Sequence, residues 1–218
     1  MEEVKDEILK LCLKYFLQHG IRKMSNDKLA GLLGISTKTF YKYFENKEQL
    51  LEEASHLFHA QQYRVLKNLP IEQNAVCQFF DLWRGGVEME HNVNKAFFRD
   101  LHYYYPQVAT RVESAIGKKF KKQFLIIIKR GIEEGDFSQN FIPEIALEGI
   151  FVLYTALVRT EHFKNFRLSS SAAMLNTMAL YIRGFCTHQG LEKLDKHIGE
   201  LGLLDKHNSL KAKDIVNV

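Results

Sequence analysis

Two capping serines and one glycine near the N-terminus constrain this chain more than any other feature. Ser25 stands before residues 26–33, where a hydroxyl can accept hydrogen bonds from the free N–H groups that begin a helix. Gly34 ends that segment, and Ser36 stands in the same way before residues 37–44. Two short helices that are joined by a glycine turn form a helix-turn-helix.

The rest of the sequence also has helical periodicity. Apolar residues from Ile8 to Phe16 fall on one helix face and predict a helix over about 3–19. The 218 residues include only 3 prolines, which favours long helices over turn-rich β folds. Further helices are predicted from Asn46 toward Pro70 and over 72–91, 94–104, 107–134, 143–162 and 169–189. We therefore predict an all-α fold.

Charge is concentrated in the helix-turn-helix. Residues 22–47 carry six basic and two acidic side chains, an excess that equals the formal net charge of the whole chain, +4. Hydroxyl and aromatic donors lie among the basic residues, and such donors hold phosphate oxygens at helix N-termini. On the second short helix, Thr37, Lys38 and Tyr41 share one outward stripe, as a helix that enters a major groove requires. This pattern predicts a DNA-binding surface.

The segment from Gly34 to Leu51 closely resembles the tetracycline-repressor (TetR) family of bacterial transcriptional regulators. The most specific part is the pattern Phe-Tyr-x-Tyr-Phe-x-x-Lys-Glu, which begins at Phe40. The resemblance covers about residues 5–55. It implies a homodimeric repressor that binds palindromic double-stranded DNA through two helix-turn-helix domains. It also implies that a small-molecule effector releases this repressor from the DNA.

The resemblance also divides the chain by role. It implies a helix-turn-helix DNA-binding domain over 1–48, a helical effector-binding and dimerisation domain over 49–189, and a C-terminal helical tail over 190–218. Thr37, Lys38 and Tyr41 would approach bases. The expected phosphate contacts and caps of this surface are Ser25, Ser36, Thr39, Lys42, Tyr43 and Lys47, of which Lys47 matches the family pattern best.

The aromatic residues of the second part offer a candidate effector pocket, in which a few polar groups orient a ligand among apolar walls. The candidate lining residues are Phe79, Trp83, Phe97, His102 and Tyr103. Two further apolar sets belong either to the interior or to the dimer interface, and the resemblance favours the interface. These sets are Ile145, Ile150, Leu153 and Leu157, and Met174, Met178, Tyr181, Ile182 and Phe185.

The sequence gives little support to catalysis or to a membrane location. It has no phosphate-binding glycine loop and no nucleophile elbow, so we predict neither an enzyme nor a cofactor. The N-terminus is acidic, no apolar run approaches the roughly 20 residues that span a bilayer, and three scattered cysteines suit a reducing compartment. We expect a cytoplasmic protein without a membrane partner.

Two other functions are compatible with the sequence. A constitutive DNA-binding protein would have the same helix-turn-helix and a body without a cavity. A helical di-iron oxidoreductase would use Glu-x-x-His pairs, and the chain has two of them, Glu53 with His56 and Glu88 with His91. Such pairs arise by chance in a chain of this composition, so we predict no metal site.

Overall fold

The structure, a computed structural model, describes residues 2–67, 70 and 72–203. Within these ranges the chain is helical, apart from an isolated antiparallel bridge between Phe137 and Cys186. The α-helices are α1 (Glu2–His19), α2 (Asn26–Leu32), α3 (Thr37–Phe40), α4 (Lys47–Lys67), α5 (Ala75–Glu90), α6 (Lys95–Tyr104), α7 (Pro106–Glu133), α8 (Pro143–Val158), α9 (Ser170–Asn176), α10 (Met178–Arg183) and α11 (His188–Glu200). The predicted all-α class, with an N-terminal helix-turn-helix followed by a larger helical part, is confirmed.

The chain forms two compact units, and the first contains residues 2–64 together with residues 93–118. Its core therefore includes α6 and the beginning of α7 as well as the N-terminal helices. The helix α6 packs against the end of α1, where the Asn94 backbone N–H donates to the Leu17 carbonyl at 2.8 Å. Gly20 allows this approach, because a Cβ at that position would lie 2.8 Å from the Cβ of Ala96.

The second unit contains residues 65–67, 70, 72–92 and 119–203 among those described. Its core is built from aromatic side chains of α5, α7 and α8 and from the apolar faces of α9, α10 and α11. The helix α11 buries Leu194 and Ile198 in this core. The first part of the expected C-terminal tail is thus an integral helix of the second unit, whereas residues 204–218 lie outside the described residues. The functional division into 1–48, 49–189 and 190–218 stays a prediction.

The helix that the sequence predicts over 169–189 is two helices in the structure. The break lies at Thr177, whose φ and ψ are −129° and −80°. The Thr177 hydroxyl donates to the Ala173 carbonyl at 2.6 Å, and the Asn176 side-chain amide donates to the Ala172 carbonyl at 2.8 Å. Side-chain hydrogen bonds of this kind compete with the backbone ladder of a helix and bend it.

The apolar residues of α8 and of residues 170–185 divide between two environments. Six of the nine face the core of their own unit: Ile150, Leu157, Met174, Met178, Ile182 and Phe185. Leu153 and Tyr181 are partly buried against the same core. Ile145 is exposed, with 66% of its surface accessible. Two residues that the sequence did not single out are exposed as well, Val152 at 71% and Leu180 at 60%. Of the two alternatives, the interior therefore holds for these six residues, and the assignment of the others to a dimer interface stays a prediction.

The turn after α7 makes a tight contact with the first turn of α11. The Thr187 N–H donates to the Asp136 carbonyl at 2.9 Å, and the Thr187 hydroxyl donates to the Gly135 carbonyl at 2.6 Å. A Cβ at Gly190 would lie 2.0 Å from the Asp136 carbonyl oxygen, so only glycine fits there. This contact fixes α11 to the rest of the second unit.

We predict that Gly190→Ala lowers the free energy of unfolding by roughly 2–3 kcal/mol, because the backbone of the turn must move away from α11. Gly199→Ala is a matched control in the same helix, since nothing lies within 4 Å of a Cβ at that position. Gly199→Ala should leave stability unchanged or raise it by about 0.5–1 kcal/mol. Urea unfolding followed by circular dichroism measures both effects, and equal stabilities would contradict the assigned role of Gly190.

Candidate nucleic-acid interface

The two predicted serine caps are present at the starts of α2 and α3. The Ser25 hydroxyl oxygen accepts from the Lys28 N–H at 3.2 Å, and the Ser36 hydroxyl oxygen accepts from the Thr39 N–H at 3.0 Å. Both serines are exposed. A hydroxyl that accepts in this way keeps its own hydrogen, so Ser25 can still donate to a phosphate oxygen. The Ser36 and Thr39 hydroxyls lie 2.8 Å apart and share one hydrogen bond, so one of these two keeps a hydrogen for a phosphate oxygen.

The turn between α2 and α3 depends on Gly34. Its φ is +66°, in the left-handed region that side chains with a Cβ rarely adopt. The Gly34 N–H donates to the Gly31 carbonyl, and the Ile35 N–H donates to the Ala30 carbonyl, both at the end of α2. These bonds close the helix end with a glycine in the left-handed conformation, which is a common helix terminator. The sequence-based assignment of Gly34 to the turn is confirmed.

Two phenylalanines hold α3 on the first unit. Phe40 and Phe44 are fully buried, and their ring centroids are 5.5 Å apart. They lie in one core with residues of α1 and α4. A helix of four residues has no stability of its own, so this burial fixes the direction in which the rest of α3 points.

The sequence predicts a helix over 37–44, but in the structure α3 ends at Phe40 and residues 41–43 form a turn. The side of α3 and of this turn that lies opposite the two phenylalanines faces solvent. Lys38, Tyr41 and Lys42 are exposed, while Thr37, Thr39 and Tyr43 are partly exposed. Together with Ser25 and Ser36, eight of the nine residues predicted to bind DNA thus have accessible side chains around α2 and α3. Their hydroxyl and ammonium groups are donors to phosphate oxygens and to the acceptors of base edges.

Two side-chain hydrogen bonds connect α2 to this surface. The Thr37 hydroxyl donates to the Asp27 carboxylate at 3.3 Å, and the Asn26 side-chain amide donates to the Tyr41 hydroxyl oxygen at 3.3 Å. Tyr41 keeps its hydroxyl hydrogen for another acceptor. Sequence reasoning missed Asn26 and Asp27 as residues that orient the recognition side chains, although both lie in the first turn of α2.

Lys47, the ninth residue, has its ammonium in the interior of the first unit. Its Nζ donates to the Met24 carbonyl and lies 4.4 Å from the ring centroid of Phe16. Burial lowers the pKa of Lys47 to about 8, and the neighbouring Cys12 opposes this shift. Burial also raises the pKa of the Cys12 thiol to about 12. A phosphate contact by Lys47 would require the side chain to rotate away from Met24.

The structure places the five candidate pocket residues in three environments. Phe79 and Trp83 lie together in the core of the second unit, with ring centroids 6.2 Å apart. Phe97 lies in the core of the first unit. His102 is half exposed and has its Nε2 2.9 Å from the Glu113 carboxylate, while Tyr103 is 76% exposed.

Other aromatic residues join Phe79 and Trp83 in the second unit, and sequence reasoning assigned none of them to a pocket. They are Phe124 of α7 and Phe151 and Tyr154 of α8, all within 6 Å of the Trp83 ring centroid. These residues lie in two helices that are far from α5 in the chain, so the sequence gave no signal that they meet α5. The pocket assignment therefore stays a prediction.

The side chains of the two Glu-x-x-His pairs have other hydrogen-bond partners. Glu53 accepts from Lys5 and Gln49, Glu88 accepts from Arg84, and His91 lies 2.9 Å from the Leu168 carbonyl. Among the described residues, no group of three or more His, Cys, Asp or Glu side chains could hold a metal ion. In the same part of the chain, no helix combines the length and the apolar character needed to span a membrane.

The N-terminal region matches the family described as "Bacterial regulatory proteins, tetR family" over residues 8–54. This range contains most of α1, all of α2 and α3 and the beginning of α4, and hence every residue of the candidate interface. No curated protein sequence matches the chain.

Solved structures share the fold. A TetR-family transcriptional regulator from Marinobacter aquaeolei VT8 has a TM-score of 0.72 at 16% identity, covering 93% of this chain and 98% of its own. A TetR-family regulator from Rhodococcus sp. has a TM-score of 0.70 at 18% identity, covering 84% and 98%. RolR in complex with resorcinol has a TM-score of 0.54 at 16% identity, covering 90% and 93%.

We predict a pH-dependent contribution of Lys47 to stability. Its pKa is about 8 in the folded chain, below the ordinary value of 10.5, so the unfolded chain binds more protons between these two values. The free energy of unfolding should therefore rise with pH in this range. Relative to Lys47→Met, the wild type should gain roughly 1 kcal/mol between pH 8 and pH 9.

Urea unfolding of both proteins at pH 7, 8 and 9 measures this difference. Because both proteins contain the same three cysteines, whose raised pKa values act in the opposite direction, the comparison isolates Lys47. A difference that does not change with pH would mean that the Lys47 ammonium lies in solvent.

Proposed function

We propose that the chain is a regulator of the tetR family, whose model matches residues 8–54, and that it acts as a cytoplasmic, homodimeric repressor that a small-molecule effector releases from a palindromic operator. One observation carries the DNA-binding part of this proposal. The helix α3 is fixed from beneath by Phe40 and Phe44, and it turns an exposed set of hydroxyl, phenol and ammonium groups toward solvent.

In the proposed complex, the start of α3 enters the major groove. Thr37, Lys38 and Tyr41 contact base edges, which carry the sequence information. Phosphate oxygens on either side accept from the cap hydroxyls and flanking donors, which position the protein without reading sequence. These donors are Ser25, Ser36, Thr39, Lys42 and Tyr43.

Lys47 joins the phosphate contacts in this proposal only after its ammonium leaves the Met24 carbonyl. The exchange is favourable because a phosphate carries a full negative charge, whereas a carbonyl offers only a partial one. The interior position in the free protein would thus be a resting state of the same side chain.

The proposed dimer uses the exposed apolar residues of α8 and α10. Ile145 and Val152 are seven positions apart on α8 and so share one face of that helix. Leu180 lies on α10, which packs against α8, and its side chain is exposed as well. Apolar side chains that solvent exposes in this way are typical of interaction surfaces. A dimer places two copies of α3 on half-sites about 34–36 Å apart, one turn of the duplex.

Contacts within the first unit offer a route by which an effector could act on α3. The Asp100 carboxylate of α6 accepts from the Arg22 backbone N–H at 2.9 Å, directly before α2. Arg111 of α7 makes a two-pronged ion pair with Glu52 of α4, with its shortest N–O distance 2.7 Å. A displacement of α6 or of the first turns of α7, which belong to the same unit, would pull on these contacts. RolR, which has a related fold, binds resorcinol.

Selection of bound fragments from a random DNA pool tests the proposed function. A palindromic consensus with half-sites about one helical turn apart is the expected outcome. Failure to retain duplex DNA even at low ionic strength would contradict the proposal, because phosphate contacts are strongest there.

Substitutions should separate the two kinds of DNA contact. Lys42→Ala should weaken binding to all sequences alike and reduce the slope of log K against log salt by about 1, and Lys47→Ala should do the same. Thr37→Ala and Lys38→Ala should instead change the preference at particular base pairs by roughly 1–3 kcal/mol. Fluorescence anisotropy with operator variants at several salt concentrations measures both effects. An unchanged salt slope for Lys47→Ala would remove Lys47 from the interface.

The oligomeric state should depend on the exposed face of α8. We expect Val152→Lys combined with Ile145→Lys to give a monomer, because two charges would have to be buried in the interface. Ile126→Lys is the matched control, since Ile126 is an exposed aliphatic residue of α7. Analytical ultracentrifugation should find this control dimeric. A dimer that survives the double substitution would exclude this face.

A further inference from the structure

Four buried side-chain atoms in the described part of the second unit lack a hydrogen-bond partner, and three of them belong to side chains that bond through another atom, namely Gln73, Arg130 and Asp136. The fourth is the indole nitrogen of Trp83, which has no other polar atom. The Trp83 side chain is 2% exposed, and its Nε1 has no partner among the described residues. An indole N–H is only a donor, so an acceptor must come from elsewhere. Buried donors without a protein partner in native structures commonly meet a water molecule or a ligand.

The surroundings of Trp83 are aromatic on several sides. Phe124 stacks on its ring at 4.4 Å between centroids, with an angle of 25° between the planes. Phe151 presents an edge at 5.0 Å, and Tyr154 lies at 5.4 Å in a tilted orientation. These rings come from α5, α7 and α8. Such walls favour a flat aromatic molecule, because ring faces and edges attract one another through their quadrupoles.

The charged groups next to this cluster compensate one another. Glu90 is fully buried and accepts from Arg159 at 2.8 and 2.9 Å. Tyr154 lies beside this pair, and burial, followed by the charge of Glu90, raises its pKa well above the ordinary value. An ion pair with no net charge favours a neutral molecule over an anion or a cation.

The helix α5 has an unusual composition at this place. Gly85 and Gly86 lie two and three positions after Trp83, in the middle of a 16-residue helix, where glycine is unfavourable. A Cβ at Gly86 would lie 3.1 Å from the Tyr154 hydroxyl oxygen, so the glycine lets α8 approach closely. The Tyr154 hydroxyl of α8 therefore lies against the same stretch of α5 that carries Trp83.

We infer that this cluster is the effector site of the proposed repressor, and that its ligand is a neutral aromatic molecule with an oxygen that accepts a hydrogen bond from Trp83 Nε1. The assignment of this cluster as an effector site rests on the proposed function, whereas the predicted binding of an aromatic molecule does not. The four rings pack against one another in the structure, so binding requires Phe151 or Tyr154 to change rotamer.

The chain contains one tryptophan, and this makes the site directly observable. Acetophenone is the probe, because it is neutral and aromatic and has an acceptor oxygen. Ethylbenzene lacks the oxygen, benzoate is charged, and cyclohexyl methyl ketone lacks the aromatic ring. We expect saturable quenching of tryptophan emission by acetophenone and a downfield shift of the single indole N–H resonance in a ¹⁵N-labelled sample. Each of the other three compounds should bind about fivefold to tenfold more weakly.

Trp83→Phe tests the hydrogen bond itself, because it keeps an aromatic ring and removes the donor. In the wild type, acetophenone should bind about fivefold to tenfold more tightly than ethylbenzene, and in Trp83→Phe this ratio should fall to about one. Isothermal titration calorimetry measures the ratio in both proteins, and the ratio is insensitive to a general loosening of the core. Tyr103→Phe is the control, and it should keep the wild-type ratio, since Tyr103 is exposed on the first unit.

The outcomes separate this inference from the proposed function. If no probe perturbs the indole signal, or if Trp83→Phe keeps the preference for acetophenone, the donor meets only water and the inference is wrong, whether or not the protein binds its operator. If acetophenone binds, operator binding is measured with and without it. Saturable binding that leaves operator affinity unchanged would retain a ligand site and overturn its assignment as the effector site.

Discussion

The burial of Phe40 and Phe44 is the interaction on which the recognition surface depends. The helices α2 and α3 have seven and four residues, lengths at which an isolated helix does not form in water. Their geometry is therefore a product of the core beneath them. With the two rings fixed between α1 and α4, the remaining side chains of α3 have to face outward. The exposure of Lys38 and Tyr41 follows from packing on the opposite side.

The first unit is larger than the DNA-binding sequence pattern. Residues of α6 and α7 contribute to the same core as α1 and α4, and Asp100 holds the backbone immediately before α2. A buried carboxylate that accepts from a backbone N–H is stabilised by that bond and is costly to leave without it. Whatever moves α6 must therefore move the segment that leads into α2, or break this hydrogen bond. In the proposed regulation, this contact would link α6 to the segment before α2.

The second unit combines a stable core with a few unsatisfied polar atoms, and among its described residues Trp83 is the one whose single polar atom has no partner, whereas Gln73, Arg130 and Asp136 each bond through another atom. Most of its buried side chains are apolar or are hydrogen-bonded, and the Glu90–Arg159 pair compensates its own charge. The indole N–H of Trp83 is different, because burial removed it from water without supplying an acceptor. The presence of tryptophan is explained if a molecule other than the protein supplies the acceptor.

The sequence by itself determined the helical class, both serine caps, the turn at Gly34 and the outward stripe of α3. These features depend on neighbours within about four positions, and hydrogen bonding and periodicity over such distances can be read from the order of residues. Only the tertiary structure decided which helices share a core. It joined α6 to α1, brought Phe151 and Tyr154 to Trp83, turned Lys47 inward and divided the apolar residues of α8 between interior and surface. These results depend on contacts between residues far apart in the chain, and one sequence carries no signal of which distant faces meet.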